Sequence, residues 1–345
     1  MNARRIFLLL LAAGALWLAW QRAFLQDDAF ITFIYARHFS EGHGLVWAPG
    51  SNEFGYTNFL FTVLVGALMW LGFPHEVASA AISVPSYVAA VFLVFFITAR
   101  LCDKRFVPHL TAIATAIHYS VSSYATGGLE TSFHMFLITL TCFFAFRYRA
   151  EPSKKAAWQV AVAASLALLC RLDSALLLLP VYLYLAAHLR RHFGAVVLMA
   201  AVPTAAVAAL LALCYAMYGA ALPNTFYAKL FLSRNYYTEG LIYFRSYLQV
   251  QYYFPAMLLA VVLPLSLWFR AWTRELVCLL AVVLAWSAYI VSIGGDFMEF
   301  RLLVPILPIF HVLCFALIAR SLPNIPATVF CFIVVAGSFA ANYHQ

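Results

Sequence analysis

The chain has 345 residues, of which 65% are hydrophobic and only 10% charged, with a mean hydropathy of +0.90 and a formal net charge of +8. Soluble domains carry about 25% charged residues, so this balance excludes one and predicts a polytopic membrane protein. The short alternating segments of a β-barrel are absent, which leaves an all-α fold class.

In chain order, apolar spans are expected at 6–25, 59–73, 77–99, 106–124, 130–146, 156–170, 174–189, 193–218, 253–269, 275–293, 302–319 and 325–341. The first follows Arg4-Arg5 and keeps Trp17, Trp20 and Gln21 where a cleavage site wants small residues, so it reads as a retained signal-anchor. Segment 59–73 spans about 15 residues, roughly 22 Å of helix against a hydrocarbon core near 30 Å, and reads as juxtamembrane or re-entrant. About eleven crossings remain. Cys102, Cys142, Cys170, Cys214, Cys278, Cys314 and Cys331 lie in or at the ends of these spans without ligand spacing, so they read as small core residues.

The linkers sort into two kinds. Arg4/Arg5, Arg100/Lys104/Arg105, Arg147/Arg149/Lys154/Lys155, Arg190/Arg191, Arg270/Arg274 and Arg320 hold 14 of the 21 Lys+Arg and mark the inner face by the positive-inside rule. Segments 26–58, 125–130, 171–173, 219–252 and 294–301, with Arg22 just before the first of them, hold the remaining seven cations and nine of the acids. The expected organisation is one transmembrane domain over 1–345, N-terminus inside and C-terminus outside. It has a first outer loop at 26–58 with a juxtamembrane helix and a long outer loop at 219–252.

The outer segments carry the residues with chemistry. Asp27-Asp28 opens an amphipathic helix. One reading is helix capping, and the other is a carboxylate at the hydrocarbon boundary tuned as a general base. His43, in Glu41-Gly42-His43-Gly44, and Tyr56 and Asn58, in Gly55-Tyr56-Thr57-Asn58, are candidate sugar contacts or plain turn residues. Glu130, in Thr126-Gly127-Gly128-Leu129-Glu130-Thr131, stands where a span turns apolar and is expected to face a cavity. Arg171-Leu172-Asp173 interrupts an apolar stretch. An i,i+2 pair does not face itself on a helix, so a local salt bridge is not expected and Arg171 is a candidate phosphate clamp. Asn224 and Lys229, in Leu222-Pro223-Asn224-Thr225-Phe226-Tyr227-Ala228-Lys229, suit a phosphate head group. Asp296 and Arg301, in Gly294-Gly295-Asp296-Phe297-Met298-Glu299-Phe300-Arg301, complete the set. No P-loop, GxGxxG, metalloprotease helix or nucleophile elbow occurs, and nucleic acid is not an expected partner. No metal site is read from spacing, although the two aspartates leave room for a divalent cation.

These six motifs, in order along about 270 residues, resemble the GT-C superfamily of polytopic glycosyltransferases that use polyprenyl-phosphate sugars. The chain is most similar to the branch of arabinofuranosyltransferases and flagellar-motor-control (ZomB-type) proteins. The resemblance implies an outward-facing cleft and a lipid-phosphate sugar donor, possessing arabinofuranose in that branch. It also implies inversion at the anomeric carbon, a glycan or glycoprotein acceptor, and a first-loop aspartate as base, Asp27 in preference to Asp28. The setting it implies is a bacterial inner membrane with the active site on the periplasmic side. Two departures stand out. The family's Glu-Gly-Tyr-Thr is here Glu53-Phe54-Gly55-Tyr56, and relatives often continue into a soluble outer domain, which is not expected in this chain. The alternative function is a transporter or flippase of lipid-linked sugars.

Overall fold

The computed structural model describes residues 3–186, 192–224, 226–227, 236–251 and 254–343, and among these it is helical throughout, without strands. Helices α1 (Ala3–Gln21), α2 (Ala29–Ser40), α3 (Phe59–Trp70), α4 (His75–Leu101), α5 (Val107–Ile117) and α6 (Tyr119–Ser123) form the first half. They are followed by α7 (Thr131–Ala150), α8 (Lys154–Cys170), α9 (Ser174–Ala186), α10 (Phe193–Tyr218) and α11 (Tyr236–Val250). Last come α12 (Phe254–Trp268), α13 (Arg274–Ser292), a 3-10 turn (Arg301–Ile306), α14 (Leu307–Ser321) and α15 (Asn324–Tyr343). Expected contributors at Lys229, Arg190, Arg191 and Arg234 lie outside the described residues.

Among the described residues five stretches are long and apolar enough to cross a membrane: Ala3–Gln21, His75–Leu101, Phe193–Tyr218, Arg274–Ser292 and Arg301–Ser321. The last is apolar on every side and almost wholly buried, as expected of a helix enclosed by others. It packs against α4, α5, α12 and α13 and is the axis of the bundle. Around it, α8 turns a face of Ala156, Ala157, Ala161, Ala163, Ala164 and Ala167 to its neighbours α7 and α10. Small side chains let backbones approach closely where lipid offers no hydrophobic drive between helices. Buried hydroxyls bond their own helix: Thr111, Thr115, Thr139 and Thr141 each donate to the carbonyl four residues back at 2.8–2.9 Å. All seven cysteines are free and buried.

Two expectations are revised. The long outer loop at 219–252 contains a helix, α11, which meets α12 at 92°. The single span at 106–124 is broken at His118, whose backbone is extended (φ −62°, ψ 125°). The break strands carbonyls at the end of α5 inside an apolar bundle, and nearby side chains take them up. Tyr87 donates to Ala116 O at 2.7 Å, and Arg22 Nη1 donates to Ile117 O at 2.9 Å and to Ser122 Oγ at 2.7 Å. The Arg22 guanidinium also lies over the Tyr119 ring. Removing those donors leaves a buried carbonyl unmade. Arg22→Ala is therefore expected to destabilise the protein by about 1–3 kcal/mol, read as a lower unfolding midpoint in detergent or nanodisc, with Arg22→Lys in between.

Candidate active site

The first outer segment reaches the bundle through two glycines. Gly128 has φ +76°, and a Cβ there would lie 2.6 Å from Leu25 Cδ1 and 2.7 Å from Ala29 Cβ, so the start of α2 rests directly on it. Backbone bonds from Gln26 N to Gly127 O (3.1 Å) and from Phe24 N to Thr126 Oγ1 (3.3 Å) tie the two loops together. The glycines of the 126–131 motif thus admit a helix, and the motif's acid, Glu130, comes to share a cavity with Asp28.

Glu130 is buried and fully engaged. Its Oε1 accepts from Arg171 Nη1 at 2.6 Å and its Oε2 from Asn58 Nδ2 at 2.8 Å. Asn58 also donates to Thr32 Oγ1 and accepts from Thr62 Oγ1, both at 3.0 Å, which fixes the Gly55–Asn58 turn against α2 and α3. Arg171 then reaches Asp173 with both remaining nitrogens, Nε to Oδ1 at 3.0 Å and Nη2 to Oδ2 at 2.7 Å. This overturns the expectation that the pair would not meet. Arg171 lies past the end of α8 with extended backbone (φ −150°, ψ 124°), and in extended chain residues two apart share a face. Tyr289 adds a bond to Asp173 Oδ2 at 3.3 Å. Burial alone would push both carboxyls up, but the Arg171 charge prevails and holds Glu130 and Asp173 below their ordinary values.

A second ion pair closes the same space: Arg301 Nη2 stands 2.7 Å from Asp296 Oδ2. That contact is close enough for charge attraction but misaligned for a hydrogen bond, so Asp296 Oδ2 and Arg301 Nε are buried without a hydrogen-bond partner. The turn that bears them is pinned by Tyr124 Oη to Met298 O (2.8 Å) and Trp286 Nε1 to Leu302 O (2.6 Å). Its glycines seat α11. A Cβ on Gly295 (φ +75°) would fall 2.6 Å from Tyr243 Cβ, and one on Gly240 would fall 2.4 Å from Val291 O.

Between these parts lies a polar cavity of about 580 Å³ lined by Asp28, Thr32, Tyr56, Asn58, Glu130, Arg171, Glu239, Asp296 and Arg301, among others. Tyr56, Thr57 and Arg171 also border a neighbouring apolar cavity of about 410 Å³, walled by Leu168, Leu169, Leu172, Leu210, Leu222 and Phe226 with others. Asp28 stands at the N-terminus of α2 without capping it, partly exposed. Burial, Asp27, Asp296 and Glu130 raise its pKa, against the opposing pull of Arg301. Asp27 is placed differently. It is exposed, outside the cavity wall, and its Oδ1 accepts locally from Gln26 Nε2 and Asp28 N, both at 2.9 Å. The preference for Asp27 therefore moves to Asp28.

The other candidates divide. Tyr56 is buried, with its hydroxyl 3.2 Å from that of Tyr218, and Tyr35 holds the preceding turn by donating to Glu53 O and accepting from Gly55 N. His43 is exposed beside His38 and takes no part in the cavity. Asn224 is exposed and joins Phe54 O through its backbone N–H, at the edge of the apolar cavity. Lys229 lies outside the described residues. Among the described residues no three His, Cys, Asp or Glu converge as a cation site. Sequence reasoning missed Thr32, Thr57, Glu239 and Phe297 as cavity residues. Glu239 and Phe297 sit in an unpatterned loop and inside a short motif, so only their outer placement hinted at a role.

Removing one partner of a buried pair strands the other charge. Glu130→Gln and Asp173→Asn are each expected to cost about 3–5 kcal/mol in unfolding measurements. Because both folded pKa values are depressed, the stabilisation is present above the ordinary carboxylate values of 4.5 and 3.8 and is lost as pH falls below them. An unchanged unfolding midpoint in either variant would show that the network does not carry the fold.

Comparison with family models, with curated proteins and with solved structures returned no match.

Proposed function

We propose that the chain is an inverting glycosyltransferase that moves a sugar from a polyprenyl-phosphate to a cell-envelope acceptor. The observation that carries this reading is the place of Asp28 on the wall of a polar cavity that borders an apolar one at Tyr56, Thr57 and Arg171. An isoprenoid chain suits the apolar side, the sugar suits the polar side, and the phosphate between them belongs near their shared border. The residue pattern's resemblance to GT-C enzymes supports the same conclusion, and with it about eleven crossings, a bacterial inner membrane, a periplasmic site and arabinofuranose as the implied sugar.

In the proposed step an acceptor hydroxyl attacks the anomeric carbon while the Asp28 carboxylate takes its proton. The bond from that carbon to the phosphate oxygen breaks, and its electron pair leaves with the phosphate. A cation must meet the charge that develops there. Arg171 is already held by Glu130 and Asp173, so its place in the step is to keep the site in shape. Arg301 lines the polar cavity and is paired with one acid, Asp296, so it is the better candidate.

A second reading, transport of a lipid-linked sugar, draws on the break at His118 and on the buried imidazoles of His118, His134 and His311. Broken helices and ionisable groups inside a bundle occur in transport folds. Purified protein in vesicles separates the two, since a transferase consumes polyprenyl-phosphate sugar and a transporter only relocates it. Asp28→Asn is expected to lower transfer by about 10²–10⁴-fold with unfolding unchanged, while Asp27→Asn retains most activity. A base must be ionised, and burial raises the Asp28 pKa above its ordinary 3.8, so activity should fall on acidification at a higher pH than an unshifted aspartate would set. Near-normal transfer by Asp28→Asn would defeat the assignment.

A further inference from the structure

The mouth of the polar cavity is built from two elements that no motif connects. Glu239, on α11, is exposed, lines the cavity and forms no ion pair among the described residues. Phe297, in the turn after Gly294-Gly295, also lines it and is 80% exposed. The glycine seat brings them together. Gly240 packs on the Val291 carbonyl and Gly295 lies under Tyr243, so α11 is held against the turn that carries Phe297. An exposed aromatic ring on the wall of a polar cavity that also bears a carboxylate is the chemistry that grips a sugar. The ring covers its C–H face and the carboxylate accepts from its hydroxyls.

The wall also states a charge preference. Among the described residues it holds the carboxylates of Asp28, Glu130, Glu239 and Asp296 but only the guanidiniums of Arg171 and Arg301, each already beside an acid. Asp296, with a side chain 8% exposed, has its Oδ2 2.7 Å from Arg301 Nη2, so Asp28 and Glu239 are the wall's carboxylates without an ion pair among the described residues. Away from the border where the donor phosphate is placed, such a wall favours hydrogen-bond donors over an anionic acceptor.

We propose that Glu239 and Phe297 form a subsite for the acceptor, the terminal sugar of a glycan that carries no negative charge. The proposal rests on the glycosyltransferase reading. The donor's side of the site is the border with the apolar cavity, so the acceptor comes in by the mouth.

The test uses full-length protein in nanodiscs and calorimetric titration with maltotriose, fully deacetylated chitotriose and trigalacturonate as neutral, cationic and anionic probes. The first two are expected to bind at least about 10-fold more tightly than the third. Glu239→Gln and Phe297→Ala, both at exposed positions, are each expected to weaken maltotriose about 10-fold, and Glu239→Lys to favour trigalacturonate. The proposal is overturned if neither maltotriose nor chitotriose binds, if trigalacturonate binds best to the unaltered protein, or if Glu239→Gln and Phe297→Ala bind as it does. A transfer assay separates this from the parent reading. Binding with the expected pattern but no consumption of polyprenyl-phosphate sugar leaves the subsite standing and removes the transferase. Transfer that needs Asp28 but has an acceptor KM indifferent to Glu239 and Phe297 does the reverse.

Discussion

Pairing the largely buried Arg171 guanidinium is the constraint around which the cavity end of the molecule is arranged. A cation taken out of water inside an apolar bundle is tolerated only when every N–H finds an acceptor and the charge finds a counter-charge. Here three hydrogen bonds of the guanidinium go to two carboxylates: Asp173 on the same extended stretch, and Glu130 at the start of α7. Through Glu130 and Asn58 the network continues to Thr32 and Thr62, so α2, α3, α7 and the break between α8 and α9 are tied by one chain of bonds. Few other polar links join these elements, and the geometry of the cavity follows from this one.

Shape is supplied differently from charge. The two glycine pairs, at 127–128 and 294–295, make room for helices. Each gives up its side-chain volume so that a helix can lie on it, α2 in the first case and α11 in the second. Asp28, the acid of α11 and the ion-paired turn are thus delivered to one space by backbone contact, while the buried network below keeps that space from collapsing. The apolar neighbour at the Tyr56–Arg171 border gives the space two chemistries within one continuous wall.

Much of this was legible in the residues. The all-helical membrane class followed from hydropathy alone. The outer set of acids and cations was right to be treated as a group, since Asp28, Glu130, Arg171, Asp296 and Arg301 do share a cavity. What escaped were effects of backbone conformation. Arg171 and Asp173 pair because α8 stops before them, and helical spacing cannot express that. Asp28 and Asp27 are indistinguishable by composition, yet one turn of chain places one on the cavity wall and the other in solvent. The interruption at His118 has no glycine or proline to announce it. It is visible only through the partners that Ile117 and Ala116 find in Arg22 and Tyr87.

The sulfur atoms have a consequence of their own. Every described cysteine is enclosed by helices, with no second thiol presented to it as a disulfide. Thiolate formation and encounter with an oxidant both require access, and burial denies both. With its thiols buried and free, the fold is held without a disulfide among the described residues.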